Sequence, residues 1–135
     1  PVLGIVNIED EHFVAADIPG LIEGAHSGRG LGINFLRHIE RTHLLLHIID
    51  MAGVDGRKPY EDYNSLNVEL RLYSQELAEK PQIVVANKMD LSQAKENLKD
   101  FRSKVEIKVY PISCRTGEGI DVLVKDIAQE LRLLR

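Results

Sequence analysis

The chain reads as an α/β domain: three layers around a mostly parallel sheet, with an antiparallel hairpin at its edge. Three observations predict this. Short apolar runs recur, several of them uninterrupted and ending in polar residues, as in strands buried on both faces. Longer stretches with apolar residues at helical spacing stand between them, and this alternation is the pattern of a parallel sheet. The first two runs are separated only by Glu9-Asp10-Glu11, which is too short for a helix, so they pair as a hairpin.

Val2 to Ile8 and His12 to Asp17 are the hairpin strands, and Asp17-Ile18-Pro19-Gly20 stops the second. A glycine-rich loop follows, with Gly24, Gly28, Gly30 and Gly32; it is costly to order and suits a moving part. Phe35, Leu36 and Ile39 predict a short amphipathic helix ending near Arg41. His43 to Asp50 is the next buried strand, and Gly53 to Pro59 a loop. Leu66, Leu70, Tyr73 and Leu77 predict one helix from about Tyr60 to Glu79, closed by Pro81. Gln82 to Ala86 is a strand. Ser92 is placed to cap a helix running to about Ser103, with Ala94, Leu98 and Phe101 inward. Glu106 to Ile112 is the last strand. Thr116-Gly117-Glu118-Gly119 turns the chain, and Ile120, Leu123, Ile127, Leu131 and Leu134 stripe a closing helix.

At 135 residues this is one domain's worth of chain or part of a larger one. A net charge of −4 supplies no general basic field for nucleic acid, and with no tryptophan and few aromatics there is no stacking platform for single strands. One cysteine, Cys114, excludes an internal disulfide and fits a reducing compartment. No apolar run approaches membrane-spanning length; the longest, Leu44 to Ile49, is broken by His47.

The chemistry sits where strands end. Ile83 to Ala86 runs into Asn87-Lys88-Met89-Asp90, at the edge where open α/β sheets bind ligands. There the Asp90 carboxylate can accept two hydrogen bonds from a planar N–H/NH2 edge such as that of guanine. Asn87 can tie neighbouring loops together and reach the base, and the Lys88 stem can cover a flat ring. Alone, these four residues are equally well a polar turn. Two further motifs stand in the same position: Asp-x-x-Gly at Asp17 to Gly20, and Ser113-Cys114-Arg115 ahead of a glycine-rich turn. The three together, in this order, indicate a guanine-nucleotide site.

At this point the chain resembles the G domains of translation-factor-related GTPases and, more closely, the bacterial Obg family. The closer resemblance rests on Ala16-Asp17-Ile18-Pro19-Gly20-Leu21-Ile22-Glu23-Gly24-Ala25, on Gly28-Arg29-Gly30-Leu31-Gly32 and on Phe35-Leu36-Arg37-His38-Ile39-Glu40-Arg41. It extends over essentially all 135 residues and implies a G domain of P-loop NTPase-like fold. It implies that Asp17 holds Mg2+ through a water, since Mg2+ keeps several waters and few protein ligands. The Gly20 N–H would meet the terminal phosphate, a close approach that glycine permits, and release the following loop after hydrolysis. Asn87 and Asp90 would read the base under Lys88. Within Ser113, Cys114 and Arg115, the Cys114 N–H would serve the guanine oxygen; the family usually has alanine there, and cysteine is a mild change.

Two departures shape the expectation. Many GTPases place glutamine after the Asp-x-x-Gly glycine to orient the attacking water. Leu21 and Ile22 stand here, as in the Obg family, so intrinsic hydrolysis is expected to be slow. Further, no Gly-x-x-x-x-Gly-Lys-[Ser/Thr] occurs, and that is the loop that cradles phosphates. Residues 1–135 therefore read as the carboxyl-terminal portion of a G domain, lacking its first strand and phosphate loop and not expected to hydrolyse GTP alone. The sheet would be completed by a missing segment, close its gap, or pair between chains.

The resemblance further implies a cytoplasmic protein that binds GTP and GDP with Mg2+. It implies work on the large ribosomal subunit during assembly and a link to the nucleotide ppGpp, with no membrane attachment. Two rivals stand beside it: a nucleotide-free α/β scaffold docking partners through Asn34 to Arg41, and a related GTPase of eukaryotic translation. The remaining polar residues have plainer readings. The five histidines show no zinc spacing, and His47 reads as a satisfied core or face residue. Arg37 and Arg41 read as a solvated face. Asp50, at a strand end, reads as a loop or cap hydrogen-bonding group rather than as a polar support for the site.

Overall fold

The computed structural model describes residues 3–17 and 40–134. The expected roles of Gly20 and Leu21, the glycine-rich loop and almost all of the helix expected near Phe35 to Arg41 lie outside the described residues. The chain divides into two compact units. The described parts of one are residues 3–17, 40–43, 65–80 and 124–134; the other comprises Leu44–Asn64 and Pro81–Leu123.

In the first unit β1 (Leu3–Ile8) and β2 (Glu11–Ala16) form the expected antiparallel hairpin, with Leu3 opposite Ala16 and Ile8 opposite Glu11. The connection is therefore two residues, not three, and Glu9 takes the left-handed conformation (φ 53°) that such tight turns require. Glu11 joins the strand, where its carboxylate meets Arg132 Nε at 2.7 Å. Val6, Ile8 and Phe13 are half-buried, while Leu3, Ile5 and Val14 share the opposite, exposed face. Lys80 Nζ donates to the carbonyls of Glu40 and Thr42, at 2.8 and 2.7 Å.

The second unit holds a parallel sheet in the order β3 (Leu45–Asp50), β4 (Gln82–Asn87), β5 (Val109–Pro111). β4 is central, so Ile83 to Ala86 are buried on both faces, as their unbroken apolar run predicts. β3 pairs only with β4 among the described residues. It alternates instead: Leu45, His47 and Ile49 are buried, while Leu46 and Ile48 are 41% and 51% exposed. The expectation of a strand buried on both faces is thus corrected to one buried face. β5 is shorter than expected: it begins at Val109, opposite Val84, and Glu106 to Lys108 precede it outside the ladder.

One expected helix is two. α1 (Pro59–Tyr73) stops, and the single-turn α2 (Gln75–Ala78) restarts from Ser74, whose extended backbone (φ −161°) lets its hydroxyl accept from the Leu77 N–H at 3.3 Å. Leu70 and Leu77 keep their buried places on either side of the break. α3 (Ser92–Lys104) buries Ala94, Leu98 and Phe101 as expected, but Leu91 is its N-cap residue and Ser92 its first helical one. Ser92 Oγ bonds the Gln93 side chain instead of capping. α4 (Ile120–Leu133) closes the chain and buries Leu123, Ile127 and Ala128, while Leu134, assigned to its stripe, is 39% exposed.

The core of the second unit joins Ile49, Met51, Val84, Ala86, Leu98 and Phe101, flanked by Tyr60 and Tyr63. Tyr63 meets Phe101 edge-on at 5.3 Å and stacks on His47 at 5.4 Å. His47 Nδ1 bonds Gln82 Oε1 at 3.1 Å. His47 is thus the satisfied core residue expected, and its burial pushes the imidazole below its usual pKa; the Gln82 bond and the Asp62 charge oppose this.

Candidate guanine-base site

The β3–β4 register puts Asp50 opposite Asn87, and Ala86 opposite Pro111, so three strands end at one level. Beyond this edge the chain is held by bonds between neighbouring loops. The Met51 N–H donates to the Asn87 carbonyl at 3.1 Å, Ile112 N–H to Ala86 at 2.8 Å, and Met89 N–H to Ile112 at 3.1 Å. Between the Asn87 and Met89 anchors Lys88 takes a left-handed conformation (φ 68°), an uncommon state for a lysine. Leu91 N–H then bonds the Lys88 carbonyl at 3.0 Å and carries the chain into α3.

Ser113 has no solvent exposure. Its hydroxyl donates to Asp90 Oδ1 at 2.8 Å and accepts from the Thr116 N–H at 3.2 Å. Its backbone donates to the Glu118 carbonyl at 2.9 Å and accepts from Gly117 N–H at 2.8 Å. Asp90 is exposed, and an ionised carboxylate has about four acceptor positions. One bond from Ser113 orients it and leaves capacity facing outward. Gly119 (φ 80°) closes the turn, and a Cβ there would run into the Pro111 carbonyl.

Asn87 Oδ1 accepts from the Cys114 N–H at 3.0 Å, so the asparagine ties the two loops together as its sequence suggests. The resemblance to the family implies that this N–H meets a base oxygen; here it is engaged by Asn87 Oδ1. Cys114 and Arg115 are exposed on the loop. Lys88 Nζ meets Asp50 Oδ2 at 3.2 Å, with 42% of the lysine side chain exposed.

The structure therefore brings Asn87, Lys88, Asp90, Ser113 and Cys114 into one contact network, with Arg115 on the same loop. Asp17 is exposed just after β2, in the other unit. Among the described residues no group of three or more His, Cys, Asp or Glu is set to hold a metal ion. Asp50 is the loop hydrogen-bonding group its strand-end position suggests, accepting from the Ala52 and Val54 N–H groups; the sequence did not show its bond to Lys88, nor Thr116 and Glu118 as supports of Ser113. The only sequence signal for Asp50 is its position at a strand end; its pairing with Lys88 depends on register.

The family model described as "50S ribosome-binding GTPase" matches residues 1–88. The chain belongs to this GTPase family. Within the family it is 56% identical over 132 residues to GTPase Obg of Brevibacillus brevis, covering 97% of this chain and 31% of that protein. It is 54% identical over 135 residues to GTPase Obg of Roseiflexus castenholzii, covering 98% and 31%. The resemblance read from Ala16 to Arg41 is borne out by these relatives, of whose length this GTPase segment spans about a third.

Solved structures agree on the fold. A variant of Era from Aquifex aeolicus, bound to GDP and aluminium fluoride, matches with a TM-score of 0.58 at 22% identity, covering 94% of this chain and 43% of that one. Nucleolar GTP-binding protein 1 of Plasmodium falciparum matches with a TM-score of 0.53 at 18% identity, covering 97% and 74%. The expected α/β class of P-loop GTPase type stands, with its parallel sheet and antiparallel hairpin.

Proposed function

We propose that this segment supplies the base-reading part of a GTPase site, and that the intact protein binds GTP and GDP with Mg2+ and hydrolyses GTP slowly. One observation carries the reading: the outward-facing Asp90 carboxylate is fixed by the fully buried Ser113 hydroxyl, while Asn87 binds the adjacent Cys114 loop. A carboxylate oriented in this way suits the paired N–H donors of guanine and repels the 2-oxo group of xanthine. Asn87 and Cys114 would face the other side of the base, Arg115 would border the pocket, and Lys88 would cover its plane. Gly20 would contact the terminal phosphate. The exposed Asp17 carboxylate fits Mg2+, which takes one or two carboxylates and keeps its waters. Leu21 offers no hydrogen bond to an attacking water, which supports slow turnover.

The test is nucleotide selectivity of the intact protein, measured by titrating fluorescent GDP, ADP and xanthosine diphosphate. Wild type prefers GDP. Asp90→Asn loses roughly 100-fold in GDP affinity, as two bonds to a charged acceptor would be worth, and gains xanthosine diphosphate binding. Unchanged GDP selectivity in that variant refutes the assignment.

The family description names the 50S ribosome. We extend the proposal to a cytoplasmic role on the large ribosomal subunit during its assembly. Nucleotide-dependent co-sedimentation of the intact protein with 50S particles checks this. Because ppGpp carries the same guanine base, the same contacts would admit it.

A further inference from the structure

Asp50 lies outside the two motifs of the base site, Asn87 to Asp90 and Ser113 to Arg115, yet it holds the lysine of the first. Its Oδ2 takes the Lys88 ammonium at 3.2 Å and the Val54 N–H at 3.3 Å, and its Oδ1 takes the Ala52 N–H at 3.0 Å. The anchor is more buried than the group it anchors: the Asp50 side chain is 22% exposed and that of Lys88 42%. Its own footing is firm. Met51 and Ala52, next in the chain, are buried in the core, and Asn97 Nδ2 from α3 holds the Met51 carbonyl at 2.9 Å. Gly53 follows with φ 66°, and a Cβ there would run into the Arg57 carbonyl, so the turn after Asp50 depends on a glycine. Asp50 stands opposite Asn87, one residue from Lys88, in the strand register.

A lysine stem has four rotatable bonds, and covering a flat ring with it costs the entropy of ordering them. A fixed carboxylate at the far end orders the stem in advance, which is how preorganisation raises affinity. We infer that Asp50 is a positioning residue for base recognition, acting through Lys88. The inference rests on the guanine reading of the site. It also makes a prediction of unusual sign. Removing a negative charge near an anionic nucleotide should tighten binding by long-range electrostatics. If Asp50 acts through Lys88, its neutralisation weakens binding instead.

The experiment is a double-mutant cycle in the intact protein, reading the dissociation constants of fluorescent GDP and of uncharged guanosine for wild type, Asp50→Asn, Lys88→Met and the double variant. Asp50→Asn keeps the shape and, through its one amide oxygen, the acceptor for the Ala52 N–H, while the Val54 N–H turns to solvent. It is expected to weaken both ligands by about three- to tenfold, within the range of coupling between contacting groups. In the Lys88→Met background the same change is expected to leave guanosine binding unchanged and, through long-range electrostatics alone, to leave GDP binding equal or slightly tighter. Asp50→Glu keeps the charge and is expected to recover part of the loss; Asp50→Ser, which also removes the charge, replaces Asp50→Asn in the cycle should that variant fail to fold. Equal losses in both backgrounds, or tighter binding on neutralising Asp50 with Lys88 present, overturn the inference while leaving guanine selectivity intact. A wild type that binds GDP no better than ADP overturns the guanine reading and this inference together.

Discussion

Ser113 shows how one buried hydroxyl can set the chemistry of an exposed neighbour. It has no solvent exposure, and it donates to Asp90 and accepts from Thr116, two residues that are themselves exposed. Ser113→Ala is expected to cost about 1–3 kcal/mol of stability in urea unfolding and to lower guanine preference, because Asp90 loses its orienting bond. His47 makes a different prediction, since burial lowers its folded pKa below the unfolded value of about 6.5. The unfolded chain then binds more protons as pH falls through about 6.5, so folded stability declines over that interval and recovers as pH rises. Urea unfolding at pH 7.5, 6.5 and 5.5 is expected to show the decline, and His47→Gln, which cannot protonate, to reduce it. Of the residue-level chemistry, the tie from Asn87 to a neighbouring loop and the loop hydrogen bonds of Asp50 were legible. The Asp50–Lys88 pair was not, because it depends on which residue the parallel register sets beside Asp50.

Elements end where local chemistry outweighs periodicity. Leu66, Leu70, Tyr73 and Leu77 keep helical spacing through Ser74, yet the helix breaks there because Ser74 caps a new turn. The apolar pattern reports which face is buried and is blind to a one-residue interruption. Ser74→Ala is expected to destabilise the fold by about 1 kcal/mol, read in urea unfolding, through loss of the cap. Gly119→Ala should cost more than Ser74→Ala in the same experiment, because its methyl meets the Pro111 carbonyl as well as an unfavourable positive φ.

At the scale of the whole chain, the open question is what β3 meets on its outer side. Among the described residues it pairs only with β4, and Leu46 and Ile48 on one of its faces are exposed. An unpaired, apolar strand edge invites pairing with another chain. These 135 residues alone are therefore expected to self-associate in size-exclusion chromatography, and Leu46→Lys with Ile48→Lys to shift them toward monomer. A compact monomer of the unaltered segment counts against pairing between chains.

What the sequence determined by itself was the set of elements and their chemistry: alternating strands and helices, polar motifs at strand ends, and a guanine-nucleotide signature that placed the chain among GTPases. These follow from local information, because periodicity, turn residues and short motifs are written in neighbouring positions. The tertiary structure decided which residues of distant segments meet. It buried the Ser113 hydroxyl against Asp90, tied Asn87 to the Cys114 loop and set Asp50 beneath Lys88. Those pairings span 23 to 38 positions of sequence and depend on strand register and loop closure. No local pattern encodes them, and they turn Asn87-Lys88-Met89-Asp90 from an isolated polar turn into part of a network that ties three loops together.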